Sequence, residues 1–257
     1  MNISTLSQAA GVSNATIARF ATEIGCEGYA HMQKELQKVL FNYYSSLDEI
    51  HYIDRQSTLE NYHDEVEAAL CNFARQYPNR DKALIESAAG LIGQSEKVFI
   101  GGNQISGFFP HYAQYLLSKY RPDVYNVSQL TFEDENMIRQ AGGKSCGIVF
   151  ALPRYPNRTM ALVRLFHEAG VPMVIFTDSN LFPYEHFAKY VIYAPSKHLL
   201  AFGSLISVFS IMYEIILMVI LNDPKLSKEA VSRFDEYVDA HNVYFKMLHG
   251  NDYTMKG

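Results

Sequence analysis

The chain of 257 residues is 48% hydrophobic and carries a formal charge of −5. That length can bury one sizeable core, or one main domain plus a small one, and the acidic balance excludes a globally basic nucleic-acid binder, so any DNA contact must be local. Cys26, Cys71 and Cys146 lie far apart and form no CxxC pair, which argues against a zinc site or a disulfide framework and suits a reducing cytosol. No basic-then-apolar leader opens the chain, so a cytoplasmic location is expected, with no metal or cofactor.

Residues 1–40 read as short helices, and residues 4–24 fit a helix-turn-helix. Leu6, Ala10 and Val12 are expected to pack against Ile17 and Phe20. Gly11 stands where the chain must turn sharply, which a residue without a Cβ does at little cost. Ser13 can cap the second helix. Asn14, Thr16, Ala18 and Arg19 are then left to face outward, and a polar helix tip with one arginine suits a major groove. Ser13, Asn14, Thr16, Arg19 and, farther on, Lys34 form the expected set contacting a double-stranded DNA operator. The alternative is a helical hairpin that caps the rest of the chain. Arg19, Lys34 and Lys38 balance Glu23, Glu27 and Glu35, which predicts weak non-specific binding and a shallow salt slope.

Residues 42–57, "NYYSSLDEIHYIDRQS", lose periodicity and read as a linker between a first domain, 1–41, and a second, 58–257. Ser57 and Glu60 fit a capping box opening a helix that stops before Pro78, and another helix covers Asp81 to Gly93. Five short apolar runs follow, at 97–102, 123–127, 145–152, 171–178 and 190–195. Helical segments at Gly107–Lys119, Phe132–Ala141 and Asn157–Ala169 separate most of them. This alternation predicts an α/β class: a doubly wound, five-stranded parallel sheet flanked by helices. Its ligand cleft belongs beyond the carboxyl ends of the strands, where the strand order switches.

"LLAFGSLISVFSIMYEIILMVIL", Leu199 to Leu221, is long enough to span a bilayer. Glu214, three serines and the absence of flanking Lys/Arg clusters favour a helix buried in a globular domain, with no membrane partner. Ser227 can cap a final amphipathic helix presenting Val231, Phe234, Val238, Phe245 and Leu248.

Three loops are candidates for the cleft. In "IGGNQISGFF", Gly102, Asn103, Gln104 and Ser106 lead from a strand into a helix, where backbone N–H groups and a hydroxyl can hold an anion; the alternative is a tight strand–helix turn. In "ALPRYPNRTM", Arg154, Arg158 and Thr159 stand near a helix start, and arginine holds phosphate or carboxylate through paired hydrogen bonds. In "PSKHLLAFGS", Lys197, His198 and Ser204 are further contributors.

The segment "ISTLSQAAGVSNATIARFATEIGCEGYAHMQKEL" resembles the N-terminal domain of the RpiR/MurR family of bacterial transcription regulators, through Gly11-Val12-Ser13, Ala15-Thr16, Arg19-Phe20 and Gly28-Tyr29. The rest of the chain looks like that family's sugar isomerase (SIS) domain. The resemblance implies a further helix before the "IS-LS" segment, so the helix-turn-helix reads as truncated at Met1. It also implies that the loop after the third strand cradles a sugar phosphate with hydroxyls. Thr159 is kept there, but Ala151 replaces the leading serine and a "PRY" insertion follows, leaving Arg154 and Arg158 to compensate by charge. The region of His198 and Ser204 is implied to close the cleft and reach a partner subunit.

Together these features predict a transcriptional regulator whose second domain senses a phosphorylated sugar or related carbohydrate derivative, acting as a homodimer or homotetramer on a palindromic operator. One alternative is an aldose–ketose isomerase. It needs a general base, and the acidic residues nearest the cleft, Glu133, Asp134 and Glu135, also suit a helix dipole. The other is a sensor module that does not bind DNA.

Overall fold

A computed structural model describes residues 2–33, 36, 62–152, 154–178, 182–194, 198–199, 202–203 and 205–244. The chain divides into two units, Met1–Asn72 with Lys197–Ser204, and Phe73–Ser196 with Leu205–Gly257. The linker predicted over 42–57 lies outside the described residues.

The first unit opens with α1 (Ile3–Ala10) and α2 (Asn14–Glu23). The Asn2 side chain accepts from the Thr5 N–H and caps α1; Gly11 ends it in the left-handed region, φ 65°, a conformation that costs glycine little. Ser13 caps α2 as expected, accepting from the Thr16 N–H. Ile17 and Ala21, one turn apart on α2, bury themselves with Met32 against Ile3, Leu6, Cys26 and Tyr29. The expected packing is corrected in part: Leu6 joins this small core, but Ala10, Val12 and Phe20 are exposed, because this small core covers only a narrow strip of α2 at Ile17 and Ala21 and Phe20 lies to one side of it. A two-residue antiparallel pair, β6 (His198–Leu199) with β7 (Phe202–Gly203), also belongs to this unit.

α3 (Tyr62–Gln76) leads into the second unit, followed by α4 (Lys82–Gln94), capped by Asp81. Five strands then alternate with helices: β1 (Val98–Gly101), α5 (Phe108–Ser118), β2 (Val124–Asn126), α6 (Phe132–Ala141), β3 (Cys146–Phe150), α7 (Asn157–Glu168), β4 (Met173–Thr177) and β5 (Tyr190–Tyr193). All pair in parallel, in the order β2-β1-β3-β4-β5. One face of the sheet (Ile100, Ile148, Phe150, Val174, Phe176) packs on α4, α5 and α8 (Ile206–Asn222). The other (Phe99, Val149, Met173, Ile175) packs on α6 and α7, chiefly through Ile138, Leu162 and Phe166. Burial on both faces is why these strands read as unbroken apolar runs. Cys146 is fully buried in β3, and desolvation pushes its thiol up to about 12, so it is a packing residue.

Two expectations about the C-terminal helices are corrected. The helix predicted from Leu199 starts at Ile206, and α8 buries only part of its circumference: Phe209, Tyr213, Leu217 and Leu221 are exposed. α9 runs Pro224–His241, so Ser227 sits inside it; proline at the first helical position sets the start instead. Phe245 and Leu248 lie outside the described residues. Among the described residues no helix is long and apolar enough to cross a membrane. Glu214, the one charge in α8, takes hydrogen bonds from Tyr77 Oη (2.6 Å) and Arg80 Nε (2.6 Å) and Nη2 (2.5 Å). These bonds, Arg80 foremost, hold its carboxyl below the usual carboxylate range.

Candidate functional site

The strand order reverses between β1 and β3, so the crevice beyond their carboxyl ends is bounded by the loops 102–107 and 151–156. Gly102 begins the first loop against the end of β3: a Cβ there would stand 3.1 Å from Ser106 O and 3.2 Å from Phe150 O. Its N–H donates to Ser128 Oγ at 3.3 Å. Gln104 follows with φ 55°, a left-handed conformation that costs a residue with a Cβ about 1–3 kcal/mol and recurs at ligand sites.

Asn103 ties three loops together. Its Nδ2 donates to Ser128 O at 2.8 Å, and its Oδ1 accepts from Thr159 Oγ1 at 3.2 Å. Ser128 is fixed in turn by Asn126 Oδ1, which accepts from its N–H and hydroxyl at 3.0 and 2.7 Å. Thr159 is fully buried at the start of α7. The neighbouring Arg158, exposed, donates from Nη1 to Gln129 Oε1 at 3.1 Å. The β1, β2 and β3 loops therefore meet, through Asn103–Thr159, Asn103–Ser128 and Arg158–Gln129.

Two features make this meeting point receptive to an anion. Ser106 is 0% exposed, yet its hydroxyl meets no hydrogen-bond partner among the described residues, a state that costs about 1–3 kcal/mol unless something occupies it. And α5 and α7 start at Gly107 and Pro156 without side-chain caps, whereas α4 and α6 are capped by Asp81 and Thr131. Uncapped first turns leave N–H groups and the positive end of the helix dipole open at the crevice.

The remaining expected residues divide. Arg154 is exposed in the second loop. Ala151 is buried in the core and its N–H is spent on Phe176 O, so this position extends the strand and adds no side-chain donor. His198 is in β6; Ser204 lies outside the described residues. The acidic trio is committed elsewhere: Asp134 accepts from Thr131 N and Oγ1 in a capping box, Glu135 pairs with Arg139, and Glu133 adds charge to the same first turn. Ser128 and Gln129 escape the sequence reading because the loop after β2 carries no glycine or basic motif.

In the first unit, Ser13, Asn14, Thr16 and Arg19 are all exposed along the first turns of α2. Ser13 and Thr16 share a hydroxyl hydrogen bond of 2.9 Å, and Asn14 Nδ2 donates to Ser4 Oγ at 3.3 Å. Among the described residues Arg19 reaches only the carbonyl of Ala15, at 3.5 Å, leaving most of its guanidinium donors open. Lys34 lies outside the described residues. Among the described residues no cluster of His, Cys, Asp and Glu is arranged to hold a metal.

A cavity of about 470 Å³ opens at the opposite end of the sheet, between Ala89, Gly93, Leu117, Arg121, Val219 and Asp223. Arg121 donates there to the carbonyls of Ile92 and Ser95. It thus caps the C-terminus of α4, and burial lowers its pKa.

No protein-family model matches the sequence, and no curated protein matches it either. Solved structures do match the fold. The sugar isomerase domain of an RpiR transcription factor from Sphaerobacter thermophilus superposes with a TM-score of 0.60 at 16% identity, over 69% of this chain and 97% of that one. The NanR protein of Vibrio vulnificus, complexed with ManNAc-6P, gives 0.58 at 16% identity over 94% and 86%. A sugar-phosphate isomerase fold from Listeria monocytogenes gives 0.55 at 13% identity over 70% and 100%. The second unit thus has the sugar isomerase (SIS) domain fold.

Proposed function

We propose that the chain is a DNA-binding transcriptional regulator whose SIS-type unit senses a phosphorylated sugar or related carbohydrate derivative. One observation carries the ligand half: the buried, unpartnered hydroxyl of Ser106 at the switch point, beside the Asn103–Thr159 bridge and two uncapped helix starts. Donors and positive dipole ends predominate there, as a phosphate requires. Gly102, Asn103, Gln104, Ser106, Arg158 and Thr159 line the phosphate end. Arg154, exposed in the loop after β3, is the residue offered to the sugar. The fold shared with the NanR protein complexed with ManNAc-6P supports the same reading.

The DNA half rests on α2, which offers Ser13, Asn14, Thr16 and Arg19 on an exposed, capped helix tip after a glycine turn, with Lys34 adding charge. Two such heads in a cytoplasmic homodimer read two half-sites. Ligand then acts by binding one arrangement of the heads more tightly than another. The unit is a sensor and no isomerase, since Glu133, Asp134 and Glu135 serve helix α6.

A thermal-shift screen of sugar phosphates and amino sugars, followed by calorimetry on the hits, tests the ligand half. A coupled assay on the same hits tests the enzyme alternative. Saturable binding without turnover is expected. Turnover of any hit transfers the chain to the isomerases, and no hit at millimolar concentration refutes the sensor.

A further inference from the structure

The cavity of about 470 Å³ lies at the amino ends of the strands, away from the switch point, and plays no part in the function proposed above. Its wall from α4 includes two glycines, Gly90 and Gly93, three residues apart in the helix. Glycine inside a helix is destabilising relative to alanine. A chain that keeps it there ordinarily has a close neighbour or a left-handed backbone to accommodate. Neither holds here. Among the described residues a Cβ added at Gly90 or Gly93 meets nothing within 4 Å, and neither glycine has a positive φ. At Gly101 and Gly147, by contrast, a Cβ would run into Leu162 and Phe166. Gly90 and Gly93 therefore break a local rule without a gain in packing, and such breaks belong to functional positions. What the two glycines preserve is open volume.

The remaining walls set the chemistry. Leu117 of α5 and Val219 of α8 make it apolar. Arg121 supplies the donors. Its Nη1 and Nη2 give to the carbonyls of Ile92 and Ser95, and its Nε is buried with no acceptor among the described residues. A donor left so is costly until an acceptor reaches it. Charge is balanced around the cavity. α4, α5 and α8 all end beside it, at Gln94, Ser118 and Asn222, and helix carboxyl ends are electronegative. Asp223 adds a carboxylate. An anion meets that field, and a cation meets Arg121. The volume falls within the roughly 300–1,000 Å³ of small-molecule sites, which are mostly apolar with a few placed polar groups.

We propose that this cavity is a second ligand site, for a compact, uncharged, largely apolar molecule carrying one accepting oxygen, a ketone or an ester, that faces Arg121. Its ligand differs in class from the phosphate proposed for the crevice, and the two sites lie at opposite ends of the sheet, so either reading can fail alone.

Ligand-observed NMR titrations of the full chain, with no sugar phosphate or DNA present, test this with a set of matched probes. Acetophenone should saturate with a dissociation constant of about 1 mM or lower. Ethylbenzene, which lacks the oxygen, should bind at least about 10-fold more weakly. So should benzoate and benzylamine, which carry a charge of either sign. Gly90→Leu and Gly93→Leu each put a side chain into the open volume. Both should weaken acetophenone at least about 10-fold, while the melting temperature holds or rises, since leucine is a good helix former. No saturable binding of acetophenone overturns the inference, and so does ethylbenzene or either ion binding as tightly. Undiminished binding to both leucine variants, folded, does the same, because the probe then sits elsewhere. A lower melting temperature in both variants makes the glycines packing residues and overturns it too.

Discussion

Ser106→Ala separates a ligand site from an ordinary turn, because the two predict opposite costs. The hydroxyl is fully buried and meets no partner among the described residues. A buried, unsatisfied polar group costs about 1–3 kcal/mol, so its removal should leave the unliganded protein unchanged or stabilise it by about 1 kcal/mol. If the hydroxyl instead donates to a bound phosphate, the same change removes a hydrogen bond to a charged group, worth about 1.5–3 kcal/mol. That corresponds to a loss of affinity of about 10- to 150-fold. Urea melts of the unliganded variant, with calorimetry using the sugar phosphate that most raises the melting temperature, read both effects. A loss of stability above about 1 kcal/mol, or an unchanged dissociation constant, refutes the reasoning.

Thr159→Val keeps the shape but leaves Asn103 Oδ1 without its donor; it should cost about 1–3 kcal/mol in a urea melt and weaken the sugar phosphate, whereas Thr159→Ser should restore both. Glu214→Gln breaks a pair whose side chains are only 19% and 20% exposed, between the surface and fully buried limits, so a loss of about 2 kcal/mol and a fall in melting temperature of roughly 4–8 °C are expected. Because the folded state lowers the Glu214 pKa, its contribution is present above the unfolded carboxylate range and is lost as pH falls through the folded value. Acid melts of wild type should therefore show a step in that window that Glu214→Gln lacks. Arg19→Ala touches only an exposed side chain, so stability should stay within about 0.5 kcal/mol while operator affinity, by gel shift, falls about 5- to 150-fold.

The parts of this molecule that obey local rules were legible in its sequence. Three buried central strands and two partly buried edge strands announce themselves as apolar runs, and Gly11 and Ser13 mark a turn and a cap whose geometry follows from their chemistry. What escaped depends on tertiary neighbours. Ser128 and Gln129 reach the crevice only because β2 pairs with β1, and nothing in "NVSQL" signals that. The run from Leu199 hid a two-residue strand, since short apolar stretches do not distinguish strand from helix. For α8, uniform apolarity carried no sign of which of its residues are exposed. Phe20 looked like core by composition, and the one-turn spacing of Ile17 and Ala21 decided otherwise.

The central claim is that a small anion held at the β1–β3 switch point governs the grip of α2 on DNA. Fluorescence anisotropy of a labelled duplex from the region upstream of the chain's own operon, at physiological salt, with and without a saturating sugar phosphate, tests it most directly. Saturable binding in the nanomolar range, changed at least about 5-fold by the ligand, is the expected result. Binding no tighter than the non-specific level of about 1–100 μM, or the same affinity with the ligand bound, contradicts it.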